Sequence, residues 1–119
     1  MNFPDQQPSA SPLAHPERRR HPRYTVQVQI EVRQEGNDVP MRLATTDLSR
    51  AGCYIELMMP LSVGTPIQAT LWLDGHPTVI RGRVITCHPQ YGNGMMFEKF
   101  EGQAEQFLQQ YLDAIVTTT

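Results

Sequence analysis

The stretch YTVQVQIEV, residues 24–32, alternates without a break: Val26, Val28, Ile30 and Val32 fall on one side, Gln27, Gln29 and Glu31 on the other. A period of two sends successive side chains to opposite faces of an extended chain, so this segment reads as a strand with one buried and one wet face. Such a strand needs partners, and the rest of the chain supplies them. EGND at 35–38 is a hairpin turn, because Gly and Asn tolerate positive φ, and VPMRLATTDL returns antiparallel. CYIEL is a short third strand. After the loop MPLSVGTP comes IQATLWL, with Ile67, Ala69, Leu71 and Leu73 on one face. DGHP then turns the chain into the long strand TVIRGRVITC. HPQYGNG is a turn rich in strand breakers, and MMFEKF is the last strand.

The period then changes. In EGQAEQFLQQYLDAIV the apolar residues Ala104, Phe107, Leu108, Tyr111, Leu112, Ile115 and Val116 are spaced by threes and fours. That is an amphipathic helix with one buried stripe, placed to cover an open end or face of the sheet. Six short antiparallel strands followed by one helix predict an all-β fold, a small barrel with a C-terminal α-helix. Closure removes the sheet edges that a chain of 119 residues has little material to protect. Ahead of the barrel, Pro4, Pro8, Pro12 and Pro16 punctuate a segment of Ser, Gln and Ala that cannot bury a core. The expected organisation is a flexible tail at 1–17, one domain at 18–116 and a short tail at 117–119.

Several function classes lose support at this point. No apolar run reaches the roughly 20 residues needed to span a bilayer, and the N-terminus has neither the basic start nor the apolar stretch of a secretory signal. A cytoplasmic location is the expectation. Cys53 and Cys87 sit in apolar runs and read as buried, reduced thiols. His15, His21, His76 and His88 stand beside prolines without metal-ligand spacing, so they read as loop positions with no metal and no chemistry assigned. No nucleophile–base pair, paired catalytic carboxylate or phosphate-cradling glycine loop is visible, and no enzyme is expected. A net charge of -2 with 8% aromatic residues argues against a single-stranded nucleic-acid binder, which pairs a basic groove with exposed aromatics.

Within this mildly acidic chain the positive charge is unevenly placed. ERRRHPRY gathers Arg18, Arg19, Arg20 and Arg23 just before the first strand. Pro22 disfavours a helix there, so the arginines belong to a loop, which can wrap a ligand and direct several guanidinium groups inward. Taken alone the run also reads as a solvated linker. The second notable stretch is DLSRAG, residues 47–52, between two expected strands. Asp47 accepts hydrogen bonds, Ser49 donates and accepts, and Gly52 permits positive φ or the close approach of backbone to a ligand. Taken alone it also reads as a serine turn closed by glycine.

Together the two stretches are more specific. RxxxR before a first strand, then DxSxxG after the second, resembles the PilZ domain family. The matches are Arg19-Arg20-His21-Pro22-Arg23 and Asp47-Leu48-Ser49-Arg50-Ala51-Gly52, and GNGMMF at 92–97 is similar to the glycine-then-phenylalanine strand near the end of these domains. The likeness covers about residues 17–116, with no departure at the signature positions. It implies a six-stranded antiparallel PilZ-type barrel that binds cyclic di-GMP on its outside, with no other cofactor. Arg19 and Arg23 would grip phosphate and guanine, Arg18 or Arg20 would assist, and Asp47, Ser49 and Gly52 would form the base-reading turn. The chemistry is compatible: guanine offers O6 and N7 to an arginine fork, and its N1 and N2 protons suit a carboxylate. The ligand, as one molecule or an intercalated dimer, would order the N-terminal segment and alter contacts with a partner protein in motility, chemotaxis or exopolysaccharide synthesis. A barrel that binds proteins independently of nucleotide is the alternative.

Other residues carry weaker signals. Arg81 and Arg83 share one strand face and read as solvated. Trp72 alternates out of phase with Leu71 and Leu73 and is expected to lie beneath the helix. Met41, Met58, Met59, Met95 and Met96 read as core or rim filler.

Overall fold

Alternation becomes architecture through hydrogen-bonded pairing. The computed structural model describes the backbone of residues 21–118 and the side chains of 21–116. It contains β1 (Gln29–Gln34), β2 (Met41–Leu48), β3 (Gly52–Glu56), β4 (Pro66–Leu73), β5 (His76–His88), β6 (Gly92–Phe100) and α1 (Ala104–Thr118). The strands close into an antiparallel barrel in the order β1-β2-β3-β6-β5-β4, with β4 pairing back onto β1. The expected six-stranded barrel with one terminal helix is the observed fold.

The barrel interior holds the inward half of each alternating pattern. Ile30, Val32, Leu48, Ile55, Ala69, Leu71, Leu73, Ile80, Val84 and Met95 are all buried. Full burial of an aliphatic side chain of this size contributes about 1.5–3 kcal/mol, so the core dominates stability. The DGHP turn is a two-residue hairpin, with Leu73 opposite His76 and both Asp74 and Gly75 at positive φ. Positive φ at both central residues matches the twist of the flanking strands. Helix α1 lies against β5 and β4. Its Ala104, Leu108 and Leu112 are buried, and Phe107 stacks on His76 with ring centroids 4.6 Å apart.

Several boundaries differ from the sequence reading. The ladder of β1 begins at Gln29 rather than Tyr24, because the hydroxyl of Thr45 intrudes between the strands. It accepts from the Val28 N–H at 2.9 Å and donates to the Val26 carbonyl at 2.8 Å, standing in for the main-chain partners of those two groups, while the Thr45 N–H still donates to the Val28 carbonyl at 2.9 Å. The last strand starts at Gly92, so Gly92, Asn93 and Gly94 belong to β6 and not to the turn. Asn93 explains why: fully buried, it donates to the Leu61 and Thr86 carbonyls and accepts from the Leu61 N–H at 2.8 Å, holding the β3–β4 loop to the sheet. His76 and His88 are strand ends rather than loop positions. At the C-terminus α1 runs to Thr118, past the apolar stripe, since the helical ladder needs no apolar residue in its last turn.

Candidate functional site

The two sequence stretches meet because of one pair of main-chain bonds. Beyond the Thr45 hydroxyl, the chain returns to β2 at Tyr24. The Tyr24 N–H donates to the Leu48 carbonyl at 2.9 Å, and the Leu48 N–H donates to the Tyr24 carbonyl at 3.0 Å. Leu48 lies inside DLSRAG, so the bridge holds Arg23 next to the turn that follows. Arg23 is exposed, and among the described residues it has no ion-pair partner. Arg18, Arg19 and Arg20 lie outside the described residues.

The turn is built mostly by its own serine. Ser49 Oγ accepts from the Ala51 N–H at 3.1 Å and the Gly52 N–H at 3.2 Å, while the Ser49 N–H donates to the Gly52 carbonyl at 2.8 Å. The hydroxyl is also 3.3 Å from that carbonyl, to which it donates. Ser49 is therefore buried and engaged in holding the turn. Of the two expectations for Gly52, positive φ is not met, and the barrel itself supplies a separate requirement for glycine. Its close neighbour is the protein's own β6: a Cβ here would overlap the Met95 carbonyl oxygen and lie 3.1 Å from the Met95 carbonyl carbon. Asp47 stands half-buried on β2 opposite Tyr54, beside a register shift between Thr45 and Asp47. It is not among the residues that line the neighbouring pocket.

That pocket has a volume of about 360 Å³ and runs over the outer face of β3, β6 and β5. Its rim at one end carries His21, Arg23, Ser49, Ala51 and Gly52, and at the other Tyr54, Thr86 and His88. Exposed Ile85 and Met96 also line it, unusual placements for large apolar side chains on outward strand positions. An apolar surface edged by a few polar groups suits the faces of a flat ligand. Glycine makes the depression possible. Gly94 sits between Tyr54 on β3 and Thr86 on β5, and a Cβ there would come 2.5 Å from Thr86 Oγ1 and 3.8 Å from a ring carbon of Tyr54. Across this bare strand the Tyr54 hydroxyl lies 2.9 Å from His88 Nδ1.

Burial shapes the acid–base character of the site. It pushes the Cys53 thiol up to about 12, with the Asp47 carboxylate adding to the effect, so this thiol stays neutral. The Tyr54 phenol is raised above its usual value of 10.0 by desolvation, with smaller contributions from Cys87, Glu56 and Asp47. Tyr54 thus keeps its proton and remains a donor.

Residues outside the pocket have other occupations. Arg50 points away and donates to Gln109 on α1 at 3.2 Å. Arg81 pairs with Glu101, and Arg83 pairs with Glu98 at 3.2 Å and donates to the Gly64 carbonyl at 2.9 Å. Met95 is core, Met41 is partly buried against it, Met96 faces the pocket, and Met58 and Met59 are exposed. Tyr54, Gly94 and His88 were not anticipated from the sequence. For His88 the cause is the register shift between Val84 and Thr86 on β5. It moves the outward phase of Arg81, Arg83 and Ile85 onto Thr86 and His88, which simple alternation would turn inward.

The PilZ domain family profile matches residues 17–114. No curated protein matches the chain. Among solved structures it is similar to the Bacillus subtilis inhibitor of motility (MotI/DgrA), with a TM-score of 0.71 and 16% identity over 86% of this chain. It spans about half of that protein, 52% of its length. It is also similar to the PilZ domain of CeSA from a cellulose-synthesizing bacterium, with a TM-score of 0.64 and 22% identity over 79% of this chain and 97% of that one. These identities speak for the shared fold. Among the described residues no helix is long and apolar enough to cross a membrane, and no cluster of three or more His, Cys, Asp or Glu is placed to hold a metal ion.

Proposed function

The chain belongs to the PilZ domain family, a class of cyclic di-GMP receptors, and from that premise we propose that it binds cyclic di-GMP in the pocket bounded by Arg23 and the 49–52 turn. One observation carries the reading. Two stretches some 24 residues apart, neither decisive alone, reach the rim of one pocket through the Tyr24–Leu48 bridge. Cyclic di-GMP is a dianion with two purines, and the surface offers both kinds of complement. The Arg23 guanidinium can fork onto phosphate oxygens or onto guanine O6 and N7. Ile85, Met96 and Ala51 offer apolar contact to a purine face. Arg18, Arg19 and Arg20 immediately precede the pocket-lining His21 in the sequence.

Binding is the activity; the chain acts as a receptor and adaptor rather than a catalyst. Arginines drawn onto the ligand order the segment that carries them, and that ordering changes the surface offered to a partner protein. Arg50 links the same turn to α1 through Gln109. The test is calorimetric titration with cyclic di-GMP. Saturable binding is expected, weakened by about tenfold or more in Arg23→Ala, the loss of one charge-assisted contact or more. The urea midpoint of that variant should stay unchanged because Arg23 is exposed. Folded wild-type protein that shows no saturation at tens of micromolar, on the order of the weakest useful receptor affinity, contradicts the reading.

A further inference from the structure

The far end of the pocket, opposite Arg23, holds two polar side chains that neither RxxxR nor DxSxxG contains. Tyr54 and His88 come from strands that are not neighbours, β3 and β5, and meet over β6 because Gly92 and Gly94 place no side chain between them. Their rings are tilted at 42° with centroids 5.8 Å apart, and Tyr54 Oη is 2.9 Å from His88 Nδ1. A tyrosine phenol carries its proton near neutral pH, and at 2.9 Å its O–H can donate to His88 Nδ1. A neutral imidazole with one nitrogen accepting carries its hydrogen on the other. Tyr54 therefore favours the tautomer with the hydrogen on Nε2. Among the described residues Nε2 has no protein partner, although His88 is exposed and lines the pocket.

We propose that the Tyr54–His88 pair is a specificity-determining element that presents a fixed N–H donor to the purine and so selects guanine over adenine. The inference rests on the cyclic di-GMP reading above. Its logic is that of base edges in general. Guanine shows two acceptors, O6 and N7, on the edge where adenine shows N7 and a donating amino group. A donor held at this position makes a bond to O6, whereas it faces adenine N6 as donor against donor. Tyr54 acts through His88 here and is the positioning residue of the two.

Titrations of cyclic di-GMP and cyclic di-AMP into wild type, His88→Ala, His88→Gln and Tyr54→Phe decide the matter. Wild type should prefer cyclic di-GMP. In His88→Ala the ratio of the two dissociation constants should fall by about tenfold, the weight of one discriminating hydrogen bond. His88→Gln, whose amide retains N–H donors, should recover much of that ratio. Tyr54→Phe, which removes the tautomer lock but leaves the ring, should lower it by roughly threefold, as expected when a donor is correctly placed only part of the time. All three variants should keep the wild-type urea midpoint to within about 0.5 M, since both side chains lie on the wet face of the barrel. A wild type that binds cyclic di-GMP and loses no selectivity in His88→Ala overturns this inference while leaving the receptor reading intact. A wild type that binds neither dinucleotide overturns the receptor reading and this inference with it.

Discussion

Gly52 offers a sharp test because ligand and fold make different demands on it. It occupies the last position of DxSxxG, where a role in receiving ligand is one expectation. The structure also packs it against β6, with a substituted Cβ overlapping the Met95 carbonyl oxygen and only 3.3 Å from Met96 Cα. Relieving that overlap means moving β3 from β6 by roughly 1.5 Å, since carbon and oxygen rest at roughly 3.5 Å. The bonds at risk are local and identifiable. The Phe97 N–H donates to Ala51 at 2.8 Å, and Gly52 and Cys53 pair with Met96 and Met95. Losing two or three main-chain bonds at about 1 kcal/mol each, with part of that edge left unsatisfied, puts Gly52→Ala at about 3–5 kcal/mol. With a urea slope of about 1–3 kcal/mol/M, the midpoint should fall by about 2 M. Gly64→Ala is the matched control: its Cβ meets nothing, and only the positive φ of 93° resists it, a cost of about 1 kcal/mol. Equilibrium urea unfolding followed by far-ultraviolet dichroism measures both. A Gly52→Ala protein as stable as Gly64→Ala, yet unable to bind cyclic di-GMP, would show that the glycine serves the ligand and that the packing argument is mistaken.

Three further outcomes follow from the same geometry. Thr45→Val keeps the shape but strands the Val28 N–H and the Val26 carbonyl; it should cost about 1–3 kcal/mol in urea unfolding and weaken nucleotide binding by loosening the path to Arg23. Arg83→Ala removes a solvent-exposed pair with Glu98 and should change stability by under about 1 kcal/mol, with calorimetric affinity for cyclic di-GMP unaltered. Cys53, raised from 9.0 to about 12, ties stability to alkaline pH. Below pH 9 the thiol is protonated folded and unfolded, whereas between 9 and 12 only the unfolded chain ionises. Stability should therefore fall as pH rises through that window, by up to about 1.4 kcal/mol per pH unit. Comparing the pH slopes of wild type and Cys53→Ala isolates this contribution.

Much of the barrel is legible without coordinates. The period-two runs around Ile30, Ile67 and Leu71 name the inward residues, and the switch to threes and fours after Phe100 names the helix. Those signals are local: they depend on the direction of Cβ along a strand or helix, which the backbone geometry sets residue by residue. That Arg23 and Ser49 belong near one another was also readable, but only as a pair of motifs, and both line the same pocket. What brings them together is tertiary, the Thr45 hydroxyl wedged between β1 and β2 and the Tyr24–Leu48 bridge beyond it. The roles of Ser49 and Gly52 likewise needed the fold, since one is engaged by its own turn and the other by a strand more than 40 residues away. The far wall of the pocket was hidden altogether. A bulge between Val84 and Thr86 reverses the face on which β5 shows His88, and nothing in the local pattern marks where a ladder slips. Strand identity and the inward residues thus follow from the sequence by itself, because alternation is a property of the chain. The pocket, its bare glycine floor and the Tyr54–His88 pair were decided by register, which only the closed barrel specifies.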